Sequence, residues 1–101
     1  MSDRSASSDP GFLLLISLSG GPKHGHAMLL DVASFAGVRL GPGTLYGALS
    51  RLEEDGLVEA LPHEGRRRPY RLTDTGLAAL RGRLTGLNAA VSIGLERVGN
   101  R

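Results

Sequence analysis

Gly41-Pro42-Gly43-Thr44-Leu45-Tyr46-Gly47-Ala48-Leu49-Ser50-Arg51-Leu52-Glu53-Glu54-Asp55-Gly56 reads as one short helix with both ends marked. Pro42 suits a first helical position, where a missing N–H costs nothing. Gly56 suits the left-handed residue that closes a helix. Between them Leu45, Ala48, Leu49 and Leu52 fall at i, i+3, i+4 and i+7, a single apolar stripe. The other face carries Gly43, Gly47, Ser50, Arg51 and Glu54, flanked by Thr44 and Tyr46. That face holds small residues, hydroxyls and one guanidinium, and no bulky hydrophobe. Such a helix can lie in a groove and hydrogen-bond to what it meets, and the major groove of DNA is the expected one.

The rest of the composition bounds this reading. A chain of 101 residues with 41% hydrophobic residues supports one modest core. Its net charge is only +2 although its pI is near 9.7, so the placement of charge matters more than its sum. The absence of Cys excludes disulfides and thiolate chemistry and fits a cytoplasmic location. The longest apolar run, Phe12 to Ile16, is far too short to span a membrane. A secretory leader is not expected either: Asp3 and Asp9 precede the apolar run and no small-residue cleavage site follows it.

Upstream of the quoted helix, residues 1–8 are polar and Ser-rich and read as a loose tail. Asp9 or Ser8 can cap a helix over roughly Pro10–Ser19, with Pro10 in its first turn. This helix is apolar on most sides, which predicts burial on several sides, part of it against a second subunit. Ser19-Gly20-Gly21-Pro22 turns the chain. A second helix is expected from Lys23 or His24 to Phe35, stopped by Ala36-Gly37. Val38-Arg39-Leu40 is either a stub of strand or a connector. Two short helices joined by a brief Gly-containing link match a helix-turn-helix, although any helical hairpin has the same spacing.

Downstream, Leu57–Leu61 and Arg68–Thr73 read as two strands, with Pro62–Arg67 between them as a turn and Gly65 able to take positive φ. Pro62 and Pro69 suggest an edge hairpin with a frayed tip. Arg66, Arg67 and Arg68 crowd that tip, with Arg71 further down and Glu64 offsetting one charge. A helical core followed by a basic hairpin is a winged helix, and guanidinium groups on the wing would meet phosphates or the minor groove. The alternative is a solvated turn. Thr73 then caps a last helix, with Asp74 in its first turn. Its stripe of Leu77, Leu80, Leu84, Leu87, Val91 and Val98, with Leu95 beside it, forms a heptad-like seam. Dimerisation is the expected use, together with Phe12, and folding back on its own core is the alternative. Gly76, Gly82, Gly86 and Gly94 weaken this helix by about 1 kcal/mol each at interior sites, permitting close helix approach or a frayed end.

The expected fold class is therefore mainly α with a small β-hairpin. A flexible tail (1–8), a winged helix-turn-helix unit (9–73) and a C-terminal dimerisation helix (74–101) follow one another. Catalysis is not expected. His24 and His26 are two apart and point to different faces of a helix, no carboxylate stands at ligand spacing near His63, and no phosphate loop or nucleophile constellation is present. No metal or cofactor is expected.

The chain resembles the PadR family of bacterial transcriptional regulators. The matching pieces are Gly21-Pro22-Lys23-His24-Gly25, Leu40-Gly41-Pro42-Gly43-Thr44-Leu45-Tyr46, Leu49-Ser50-Arg51-Leu52-Glu53-Glu54-Asp55-Gly56-Leu57, Gly65-Arg66-Arg67-Arg68-Pro69-Tyr70-Arg71-Leu72-Thr73 and Gly76. They occur in family order and cover about Phe12 to Leu80. The resemblance implies a homodimeric winged-helix repressor whose third helix reads the major groove, whose wing touches flanking backbone, and whose C-terminal helix swaps across the dimer. His26 stands where the family often has Tyr. The compact branch of the family includes sensors of flat, hydrophobic drugs held between aromatic rings, so a small-molecule effector at the dimer interface falls within what the resemblance implies. Here residues 77–101 contain no aromatic ring, which argues against a stacking sandwich from that helix and leaves Phe12 and Phe35 as nearby candidates.

The expected function is sequence-specific regulation of transcription from a palindromic operator in double-stranded DNA. Two recognition helices (about 42–55) would sit about 34 Å apart, one turn of duplex. Gly43 and Gly47 would allow close approach, Thr44 and Ser50 would supply hydroxyls, and Arg51 would reach a guanine or a phosphate. Lys23 and His24 are placed for phosphate by the start of the second helix, Tyr46 either holds a phosphate or only packs, and the wing (about 62–69) brings Arg66, Arg67 and Arg68. The rival is a winged-helix adaptor that binds protein and not DNA, against which the wing arginines count.

Overall fold

The computed structural model describes residues 9–101, so the expected tail at 1–8 lies outside the described residues. Asp9 starts the first helix. Its carboxylate accepts from the backbone N–H groups of Gly11 and Phe12 at 3.0 and 3.5 Å, and Pro10 opens the first turn of α1 (Pro10–Ser19). Phe12, Leu13, Leu14, Leu15 and Leu18 are all buried. Within the one chain α1 touches α2 (Gly25–Ala36), α3 (Pro42–Glu54), α4 (Asp74–Gly99) and the strand β3 (Pro69–Leu72). Most of its apolar surface is therefore covered within the one chain, where the sequence reading expected part of it to meet a second subunit. Four elements wrap around it, and α1 is the central post of the core.

The second helix begins at Gly25, just after the Lys23 or His24 start that the sequence suggests. Lys23–His24 form a short strand, β1, and the His24 side chain caps α2 by accepting from the Ala27 N–H through Nδ1 at 3.4 Å. Residues 38–40 form no strand and act as a connector, with Val38 and Leu40 leaning on the core. In α3, Leu45, Ala48, Leu49 and Leu52 are buried as the stripe requires, and Gly56 closes the helix region at φ 75°.

The remaining strands are β2 (Val58–Ala60) and β3, both shorter than expected. The sheet order is β1-β3-β2, antiparallel throughout, with His24 opposite Pro69 and Ala60 opposite Tyr70. The two-stranded edge hairpin of the sequence reading is thus corrected to a three-stranded sheet with β3 in the middle. Pro69 is accommodated because it is the first residue of its strand. At the tip, Glu64 and Arg67 exchange backbone hydrogen bonds of 2.7 and 3.1 Å around Gly65, whose φ is 65°. The tip is therefore a closed turn, not a frayed one.

Thr73 joins wing to last helix. Its hydroxyl donates to the Gly56 carbonyl at 2.7 Å and accepts from the Gly76 N–H at 2.9 Å. The backbone at Gly76 lies so close to the Leu57 carbonyl that any Cβ there would collide with it. From this anchor α4 runs unbroken to Gly99, about 39 Å at 1.5 Å per residue. Leu80 is buried and Leu87 partly so; every residue from 88 onward is exposed. The helix accordingly gives the molecule its long axis, 56 × 27 × 23 Å.

Candidate nucleic-acid interface

The apolar stripe of α3 faces α1, so its opposite side faces out. Gly43, Thr44, Tyr46, Gly47, Ser50, Arg51 and Glu54 are all exposed, and nothing stands within 4 Å of where a Cβ would be at Gly43 or Gly47. This side is a nearly bare backbone ridge carrying three hydroxyls, one guanidinium and one carboxylate. Arg51 is exposed and joins no ion pair among the described residues.

Beside this ridge, three elements converge. The wing turn brings Arg66, Arg67 and Arg68 to the surface, all exposed. Arg67 Nη1 lies 3.4 Å from His24 Nε2, and Arg68 Nη1 lies 3.4 Å from His63 Nδ1. His24 Nδ1 accepts from the Ala27 N–H, which leaves Nε2 as the ring nitrogen that faces the wing. The His24 imidazole and the Arg67 guanidinium thus lie side by side where the wing meets the start of α2. Tyr46 crosses from α3 to the start of α2, where its hydroxyl and ring occupy the space a side chain at Gly25 would need. The ring is half exposed, so it both packs and presents polar surface.

Tyr70 joins this cluster and was missing from the sequence-derived site residues. Its phenol is pushed above the usual tyrosine range, first by partial burial and then by the nearby Glu53 carboxylate; Arg68 pulls the other way and Tyr46 adds a small push. Its hydroxyl therefore stays neutral, able to donate and accept. The sequence signals for it were its place in a strand next to the arginine run and in a stretch that carries the family resemblance.

Lys23 departs from expectation. Its ammonium donates to the Ser17 carbonyl at 2.5 Å and to the Gly21 carbonyl at 3.3 Å, and lies 4.0 Å from Asp31. The Ser17 carbonyl lies in the last turn of α1, at the negative end of the helix dipole, which draws the charge inward. Asp31 also accepts from the Ser17 hydroxyl at 2.7 Å, which completes the knot. Lys23 ties β1 to α1 and is not presented with His24.

The expected pairing residues divide in two. Phe12 and Leu80 are 5% and 2% exposed and belong to the protomer's own core, which corrects their assignment to a seam. Arg83 lies 4.1 Å over the Phe12 ring and 3.2 Å from Asp9, closing that side further. Leu87 packs partly against the core, whereas Leu77, Leu84, Val91, Leu95 and Val98 are exposed. A groove of about 260 Å³ opens between this stripe and the end of α1, lined by Ser19, Leu77, Leu80 and Leu84. Phe35 lies exposed on α2. Among the described residues no group of His, Asp and Glu could hold a metal ion, and no helix is long and apolar enough to cross a membrane.

Comparison with known proteins adds the family. The sequence profile of the transcriptional regulator PadR-like family matches residues 14–82. A transcriptional regulator of Mycobacterium tuberculosis is 52% identical over 60 residues, 56% of this chain. The chain spans only 20% to 55% of the length of the curated relatives it matches. Among solved structures, a PadR family regulator of Eggerthella lenta is 30% identical with a TM-score of 0.68, covering 87% of this chain and 81% of its own. A PadR family regulator of Clostridium difficile superposes with a TM-score of 0.79 at 20% identity, covering 88% and 97%. The bare ridge of α3, the basic wing and the matched profile agree: this chain belongs to the transcriptional regulator PadR-like family and has its winged helix-turn-helix fold.

Proposed function

We propose that the chain acts as a homodimeric repressor that binds a palindromic operator. In this reading residues 9–73 form the DNA-reading unit and 74–101 the pairing helix. The outward side of α3 enters the major groove, with Gly43 and Gly47 bringing the backbone near base edges and Thr44, Ser50 and Arg51 hydrogen-bonding there. His24, Tyr46 and the wing arginines Arg66, Arg67 and Arg68 hold flanking phosphates. The observation that carries this reading is the exposed run Arg66, Arg67 and Arg68 beside the bare ridge of α3, with Arg67 Nη1 3.4 Å from His24 Nε2, because clustered guanidinium groups suit anionic phosphate oxygens.

Pairing rests on Leu77, Leu84, Val91, Leu95 and Val98. From residue 88 onward α4 has no cover, and a short free helix of that length is marginal in water. Burying the stripe against a second copy gives it the support it lacks. A small molecule wedged at that interface would alter the angle between the halves and so release DNA.

The test is a gel shift on the DNA upstream of the chain's own coding sequence, repeated across salt. The expected result is a complex whose affinity falls steeply with salt, with a log–log slope of about −5 for six wing arginines in a dimer. A flat salt response would contradict the phosphate assignments, and no shift on any duplex would contradict DNA binding by these residues.

A further inference from the structure

The outward ridge of α3 ends in a charge of the wrong sign. Gly43, Gly47, Ser50 and Glu54 stand at i, i+4, i+7 and i+11, within about 60° of one another around the helix axis. Glu54 therefore points the same way as the residues proposed to face base edges. It is exposed and has no salt-bridge partner: the ion pairs among the described residues are Lys23–Asp31, Arg71–Glu59 and Arg83–Asp9. Arg51, one turn back, does not hold it. It is also the last residue of α3, where the negative end of the helix dipole disfavours a carboxylate. Nothing local stabilises this charge, and a duplex lined with phosphates adds a further repulsion.

A free carboxylate in a major groove finds one well-matched partner. Cytosine offers its N4 amino group as a donor with no acceptor on its own major-groove edge, the guanine O6 lying to one side only. Adenine offers N6 next to the N7 acceptor, and guanine and thymine present acceptors. We propose that Glu54 is a specificity-determining residue that accepts a hydrogen bond from one cytosine amino group in each half-site and penalises duplex lacking it. This rests on the reading of α3 as the major-groove helix. The carboxylate supplies a repulsive element against wrong sequence as well as an attractive one for the right base.

The test is selection from a randomised duplex pool with the full chain as wild type, E54A and E54Q. Wild type enriches cytosine at one symmetric position per half-site. E54A loses that preference while the other positions persist, and its discrimination of cytosine from thymine at that position drops by about tenfold. E54Q, nearly the same shape, shifts the position toward adenine. Both variants bind random duplex more tightly than wild type. An E54A pool with unchanged preference at every position overturns the assignment of Glu54 while leaving α3 as the reading helix. A wild-type pool with no enriched sequence overturns both.

Discussion

Lys23 and Arg67 carry the same charge, and the fold points them opposite ways. Arg67 sits on a tight turn with its guanidinium outside, facing the His24 ring. Lys23 is spent on the carbonyls of Ser17, in the last turn of α1, and of Gly21 just beyond it. Their substitutions separate accordingly. Arg67→Ala lowers the salt slope of DNA binding by about 2, one phosphate for each protomer of a dimer, with base preference unchanged, as read by fluorescence anisotropy across salt. Lys23→Ala leaves that slope alone and instead costs about 1–2 kcal/mol of stability, read by urea unfolding at fixed protein concentration. Ser50→Ala or Arg51→Ala relaxes sequence preference at single positions, measured on the selected operator. The direction of Lys23 was not legible in the sequence, because it depends on where the far end of α1 stops in space. The exposure of Arg66, Arg67 and Arg68 was legible, since Gly65 turns the chain tightly whatever surrounds it.

Element boundaries were readable where local chemistry sets them. Asp9 and Pro10 at α1, Pro42 and Gly56 around α3, and Thr73 at α4 act through neighbours in sequence, and the structure places helix ends at each. The strand β1 was not readable, because two residues have no periodicity and its pairing partner is β3, far along the chain. The stripe of α4 was visible, but its division was not. Which leucines the protomer buries depends on the angle at which α4 leaves the wing, and Gly76 against the Leu57 carbonyl fixes that angle. Gly76→Ala should cost about 1–3 kcal/mol through overpacking, seen as a lower urea midpoint. Glu in place of both Leu84 and Val91 should leave each protomer folded, since neither is buried. Sedimentation should then show monomers, and affinity for a two-half-site operator should fall by at least about a hundredfold.

At the scale of the whole molecule, a small body and a long helix divide the work. The body buries most of α1 and holds the α3 ridge and the wing on one surface, while α4 reaches far beyond any core it could share. Two such bodies joined along α4 would carry two ridges, and the central claim is that they meet successive major grooves of one duplex. Hydroxyl-radical footprinting of the duplex selected from a random pool tests this most directly. The account predicts two protected patches with their centres about 10 base pairs apart and related by the symmetry of the operator. A single protected patch, or uniform cleavage at saturating protein, would contradict it.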